Sequence, residues 1–215
     1  NAGESHPRLF KSVADHIIAL DHLRTFNPQS LSNILLAFVK ADESHPMLFS
    51  KIADHIVALE SLREFEPQAI ANIVWAFVKA GESDPRLFER VAVHTVALDN
   101  LHSFKPQHLA NIVWACAKAE ESQPRLFRKV ADHILALDNL RLFNAQDCSN
   151  ILWAFATANI IHPHLFETVA AHVDEHINLE TLDQESLKIL YWAYEEAEKS
   201  LKKKNGVNLE KTPSE

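Results

Sequence analysis

Apolar residues recur along this chain three and four positions apart, and the clusters they form recur every 39 residues. Over 28–40, Leu31, Ile34, Leu35, Phe38 and Val39 fall at i, i+3, i+4, i+7 and i+8, one stripe of an amphipathic helix whose opposite face is polar. A polar turn from Asp42 to His45 follows, and Leu48, Phe49, Ile52, Ile56 and Leu59 make a second stripe. Each unit is therefore predicted to be two antiparallel helices. Pro7, Pro46, Pro85, Pro124 and Pro163 each open a Pro-x-Leu-Phe at the same 39-residue spacing, and a fixed period of this length marks a solenoid.

The helix starts are written into each copy. Pro28, Pro67 and Pro106 fit the first helical position, where the fixed φ is preorganised and the missing N–H costs nothing. Phe26, Phe65, Phe104 and Phe143 precede the cap, and Leu31, Ile70, Leu109 and Cys148 stand at the fourth helical position, the spacing of a hydrophobic staple. One unit buries too few large side chains to offset the ordering of its own backbone, so neighbouring units must supply the balance. Ala37, Ala41, Ala53 and Ala58 recur where helices would approach closely. The expected fold is all-α: an αα-hairpin solenoid of about ten helices stacked into a right-handed superhelix.

This reading divides the chain into one α-solenoid over 1–204 and a flexible tail over 205–215. The solenoid holds a partial repeat (1–25), full repeats at 26–64, 65–103, 104–142 and 143–181, and a C-terminal helix over 182–204. In that last unit Glu195 and Glu196 replace Val39 and Lys40, and Lys199, Lys202, Lys203 and Lys204 follow, the pattern of a polar cap. Asn1 and Ala2 align with Lys40 and Ala41, so the chain opens in mid-repeat and is expected to be a piece of a longer array.

Composition narrows the function. With 21 Lys and Arg against 29 Asp and Glu, the formal charge is −8, which disfavours nonspecific attraction to nucleic acid. The acids nevertheless sit in turns and second helices, while 28–40, 67–79 and 106–118 carry one Lys each and no acid. Cys116 and Cys148 occupy core positions and read as buried thiols of a reducing compartment. No apolar run approaches the roughly 18 residues of a membrane span, and a soluble protein is expected.

Candidate chemistry lies on the polar side of the first helices. At 100° per residue Gln29, Asn33, Leu36 and Lys40 share a row that recurs as Gln68, Asn72, Trp75 and Lys79, then as Gln107, Asn111, Trp114 and Lys118. A fourth row holds Gln146, Asn150, Trp153 and Thr157. Stacking aligns these into files of amides, indoles and ammonium groups, a combination suited to single-stranded RNA: stacking of bases, amide bonds to base edges, lysine contacts to phosphate. The amides have a competing use in bonding neighbouring backbone, and the indoles in filling grooves between helices. Ser30, Ala69, His108 and Asp147 vary beside the shared row, as specific readout requires, and His108 joins the candidate RNA contacts.

His16, His55, His94, His133 and His172 recur once per repeat, too dispersed to converge on a metal. His172 and His176 share a helix face without a third ligand. Gly3, Gly81 and Gly206 make no phosphate loop, and neither a nucleophile elbow nor a paired-carboxylate cleft can be assembled, so no enzyme, cofactor or metal is expected.

The phrase Phe-x-Pro-Gln-x-Leu-x-Asn-x-x-Trp-Ala-x-Ala, as in Phe104 to Ala117, resembles the octotricopeptide repeat family and its heptatricopeptide and FAST-kinase-like relatives over nearly residues 1–197. That resemblance implies paired helices, RNA binding along the superhelix and a role in chloroplast or mitochondrial RNA maturation, stability or translation. The period of 39 exceeds the 38 of the family's name, and the family's Pro-Pro-Pro-Glu-Trp is reduced here to Pro-x-Leu-Phe. The leading expectation is a non-enzymatic RNA-binding solenoid. Its rival is a protein-interaction scaffold within a larger complex.

Overall fold

The computed structural model describes residues 6–43, 45–121, 123–177 and 184–204. They form α1 (Pro7–Ala19), α2 (Pro28–Lys40), α3 (Pro46–Ala58), α4 (Pro67–Lys79), α5 (Pro85–Ala97), α6 (Pro106–Lys118), α7 (Pro124–Leu135), α8 (Ala145–Thr157), α9 (Pro163–His176) and α10 (Gln184–Lys204). The expected solenoid is what the chain builds. Even-numbered helices pack on one another in sequence as one layer, and odd-numbered helices form the other. The even-numbered helices come closer together, because Ala71, Ala76, Ala110, Ala115 and Ala154 are fully buried where they meet. The array therefore curves toward the even-numbered layer, which lines its concave side. The tail over 205–215 lies outside the described residues.

One ring pair recurs at the joints between the layers. In four of the five Pro-x-Leu-Phe copies the phenylalanine meets an aromatic ring of the next even-numbered helix edge to face: Phe10–Phe38 at 4.9 Å, Phe49–Phe77 at 5.1 Å, Phe127–Phe155 at 5.0 Å and Phe166–Tyr194 at 6.3 Å between centroids. This geometry sets the positive edge of one ring against the negative face of the other. At the remaining joint Phe88 is fully buried, and the position that carries the partner ring elsewhere is Cys116.

The helices of the concave layer end alike. Asp42 (φ 56°), Gly81 (φ 71°), Glu120 (φ 58°) and Asn159 (φ 53°) occupy the same place in the period and adopt the left-handed conformation. The next residue donates back across the turn, Glu43 N–H to Phe38 O at 3.0 Å and Glu121 N–H to Cys116 O at 2.9 Å, so each end is a Schellman motif. Some helix starts are satisfied by side chains: Asn27 Oδ1 accepts from Ser30 N–H at 2.8 Å, and Asn144 and Asp147 accept each other's backbone N–H at 2.9 and 3.2 Å.

Basic side chains tie successive odd-numbered helices. Lys129 Nζ donates to Leu98 O, at the C-terminus of α5, at 2.7 Å, and Arg90 Nη2 donates in the same way to Leu59 O at the end of α3. Positive charge there also complements the helix dipole. On the outer surface Arg86 bridges Asp84 at 2.7 Å and Asp54 of the preceding repeat at 2.8 Å.

The last helix carries aromatic as well as charged surface. Leu35, Val74, Val113 and Leu152 are fully buried, yet Tyr191 at the same register is 68% exposed and Trp192 is 40% exposed. No helix of the concave layer follows α10 among the described residues, and this aromatic surface stands beside the exposed Glu195 and Lys199 of the expected polar cap. A mostly apolar cavity of about 280 Å3, lined chiefly by Ala170, Val173, Leu187, Leu190, Tyr191 and Tyr194, opens between α9 and α10.

Candidate nucleic-acid interface

The polar rows of α2, α4, α6 and α8 face away from the hydrophobic core. Gln29, Gln68, Gln107 and Gln146 are exposed, as are Lys40, Lys79, Lys118 and Thr157. Asn33 is exposed, and Asn72, Asn111 and Asn150 are half-buried. Stacking in register turns these equivalents into files along the concave side.

The amides are chemically unspent. Among the described residues no protein group hydrogen-bonds the side chain of Gln29, Asn33, Gln68, Asn72, Gln107, Asn111, Gln146 or Asn150. They do not bond neighbouring backbone, the alternative that the sequence left open. Lys40, Lys79 and Lys118 likewise have no carboxylate partner among the described residues.

Structure brings the first two rows together around a groove. A cavity of about 310 Å3 between the starts of α2 and α4 is lined by Gln29, Asn33, Gln68 and Asn72, with Glu64 and Glu66 also on its wall. Those two acids belong to the connecting loop and cap, so a groove whose helices carry no acid still receives negative charge. The corresponding residues of the next repeat are Ser103 and Lys105. Successive grooves thus differ in charge while sharing amides.

The indoles edge the same face. Trp75, Trp114 and Trp153 are half-buried, whereas the residues on either side of each are fully buried. Trp114 and Trp153 lie 6.2 Å apart, inclined at 37°. Lys79 Nζ stands 5.6 Å from the Trp75 centroid and 5.3 Å from that of Trp114, a cation over two aromatic faces.

His108 stands apart from the other candidates. It is only 9% exposed, and its Nδ1 accepts the Lys105 backbone N–H at 3.2 Å, so it serves the start of α6. Burial, reinforced by Lys105, lowers its pKa. Asp147 at the equivalent position is also buried and caps α8; burial raises its pKa, against the opposing pull of the Asn144 N–H. The variable row beside the amides is thus partly consumed by capping.

The remaining titratable groups form no convergent site. His172 Nε2 lies 3.1 Å from Phe143 O, and its ring stacks on His176 at 5.2 Å. Among the described residues no three His, Cys, Asp or Glu side chains converge as metal ligands. Cys116 and Cys148 are fully buried, and that burial pushes both thiols up to about 12. No described helix is long and apolar enough to cross a membrane.

Fold and surface together define an α-solenoid of helical hairpins whose concave face carries files of unpaired amides, indoles and ammonium groups. Residues 3–179 match the model of the RNA-editing substrate-binding complex 6 protein family, and the chain belongs to that family. No curated protein matches it.

Proposed function

We propose that this chain is a non-enzymatic RNA-binding subunit of an RNA-editing substrate-binding complex, holding single-stranded RNA along the even-numbered helices. The observation that carries the reading is the row of unspent amides and unpaired lysines on the concave side. Desolvating a polar group without a partner costs free energy, so a ligand that meets these groups must offer its own donors and acceptors. Unpaired bases offer both, and phosphates accept from ammonium groups. The family's name supports the setting, an assembly that binds RNA substrates. The octotricopeptide-like phrase supports kinship with other organellar RNA binders, and on that likeness the site of action is a mitochondrion or chloroplast.

A salt series tests it. Fluorescent single-stranded RNA titrated with the protein between 50 and 300 mM KCl should bind with an affinity that falls as salt rises. Replacing Lys40, Lys79 and Lys118 together by Gln should flatten the slope of log K against log salt by about 2, at roughly 0.7 per phosphate contact. Absence of binding at 50 mM KCl, or a slope unmoved by the triple replacement, overturns the proposal. The apolar cavity between α9 and α10 favours a second, compatible use as a docking surface for another subunit.

A further inference from the structure

We infer that the gap between Trp75 and Trp114 is a nucleobase slot, with Lys79 as the cation that occupies it when RNA is absent. The inference rests on the RNA-binding reading above and adds one defined subsite to it.

The three indoles of α4, α6 and α8 are related by the repeat, yet they are not equally paired. Trp114 and Trp153 sit against each other at 6.2 Å. Trp75 and Trp114 make no ring contact; the Lys79 ammonium lies between them, 5.6 and 5.3 Å from their centroids. These two distances limit the separation of the ring centres to at most 10.9 Å. A flat base in van der Waals contact with a ring on each side needs about 7–8 Å, at ~3.5–4 Å per face. A separation within that bound leaves room for one base between the two indoles once the ammonium moves out, and not for two.

What fills the gap is also suited to leaving it. Lys79 is exposed, and among the described residues no carboxylate pairs with it, so two indole faces hold it. A cation over an aromatic face at an exposed site is weakly held, and its long flexible stem lets the ammonium swing outward. An entering base replaces cation–π contact with stacking on both faces. Displaced, the ammonium stands at the mouth of the slot, where the phosphate of the same nucleotide passes. Asn72 and Asn111, one helical turn before Trp75 and Trp114, carry the amides nearest in sequence for the edge of that base.

Packing does not require this arrangement. Val74 and Ala76 beside Trp75, and Val113 and Ala115 beside Trp114, are fully buried and fill the interface between helices, which leaves the indoles partly in solvent. Stacking alone accepts any base, so the slot predicts affinity without strong sequence preference.

Intrinsic fluorescence reads the slot directly. In a protein carrying Trp153→Phe and Trp192→Phe, only Trp75 and Trp114 emit, and titration with U10 or A10 RNA should quench them in step with the binding followed by anisotropy. Trp75→Leu should weaken binding about 5- to 150-fold, the loss that corresponds to removing one base–aromatic stack, and leave the salt slope unchanged. Lys79→Met should keep the quenching and lower the salt slope by about 0.7. Circular dichroism confirms that each variant is folded, and Trp75→Phe, which keeps a ring, should recover most of the affinity. RNA binding with unchanged emission, or a folded Trp75→Leu protein within twofold of the parent, overturns the slot and leaves the RNA reading standing. Absence of RNA binding at 50 mM KCl removes both.

Discussion

The edge-to-face pair at the joint between α7 and α8 offers a measurable test of how the repeats hold together. Phe127 and Phe155 are fully buried with centroids 5.0 Å apart and planes at 69°. Replacing either by Ala would leave a cavity and cost about 3–5 kcal/mol, enough to unfold part of the array, so leucine is the better probe. Each leucine keeps most of the volume and should cost about 1–1.5 kcal/mol in packing, plus the ring–ring term of about 0.5–1.5 kcal/mol. That second term is lost in either single variant and cannot be lost twice. The double variant should therefore be less destabilised than the two singles added together, by about 0.5–1.5 kcal/mol. Phe88→Leu supplies the contrast, because Cys116 takes the place of the partner ring there and only the packing term is at risk. Urea unfolding followed by far-UV circular dichroism gives the free energies. Amide hydrogen exchange in α7 and α8 gives the local values if the array unfolds in stages. A coupling within about 0.3 kcal/mol of zero, the spread of independent sites, would refute the claim that ring geometry fastens this joint.

Acidification should destabilise the fold. Burial lowers the pKa of His55, His94 and His133, reinforced by Arg24 and His22, by Arg90 and Arg63, and by His102 and Lys129 respectively, and His108 shifts the same way. The unfolded chain then takes up protons near the ordinary 6.5 while the folded chain stays neutral, so stability falls as pH drops from about 6.5 through the depressed folded values. Thermal melts at pH 7.5, 6.5 and 5.5 should show a small loss of Tm over the first step, where the unfolded histidines become about half protonated, and a larger loss over the second, and His133→Gln should lessen both; a Tm that rises on acidification contradicts the reasoning. At the helix ends Glu120→Gly should raise stability by about 0.5–1 kcal/mol, because the left-handed backbone costs an L residue about 1–2 kcal/mol and glycine returns part of that in unfolded-state entropy. Gly81→Ala should lose stability for the same reason, although an added Cβ would meet no atom within 4 Å; equal urea midpoints for variants and parent would exclude the backbone term.

Much of the architecture was legible because the period repeats every local instruction several times. Helix starts carried proline, core stripes carried the 3.6-residue spacing, and the small residues of the concave layer were visible as recurring alanines. The turns after the even-numbered helices were not legible in the same way. Gly81 announces a left-handed residue by its type and Asn159 and Asp42 do so more weakly, while Glu120 adopts the same backbone without a compositional signal. The ring pairs were hidden for another reason: Phe127 and Phe155 are visible separately, but their meeting depends on how one helix is rotated against the next. The same limit applied to the interface. The amide rows followed from helical geometry alone, whereas the position of Lys79 between indoles of two different repeats, and of Glu64 and Glu66 on the first groove, depends on the lateral register of neighbouring helices. His108 varied among the repeats as a contact residue should, yet the third helical position turns back toward the cap, and its ring nitrogen is used there.

The hydrogen bonds of the polar groups separate those the fold uses from those it leaves unpaired. Asn27, His108 and Asp147 satisfy donors at helix starts, the Schellman turns satisfy acceptors at helix ends, and Arg90 and Lys129 reach across repeats to further carbonyls. Buried hydroxyls are spent as well: Ser32 donates to Gln29 O at 2.9 Å and Ser149 to Ala145 O at 2.8 Å. After these assignments the Gln and Asn side chains of the concave layer have no hydrogen-bond partner among the described residues, while Lys40, Lys79 and Lys118, the last residues of their helices, complement the helix dipole without a carboxylate partner. Three identical copies of such a row, Gln29–Asn33–Lys40, Gln68–Asn72–Lys79 and Gln107–Asn111–Lys118, call for a cause outside the helix that bears them. A ligand that is itself a repeating polymer supplies one, because it presents the same backbone charge and the same kinds of base edge to each hairpin in turn. On the proposed reading the groove walls, Glu66 against Lys105 and Glu64 against Ser103, add differences between repeats beside the shared amides.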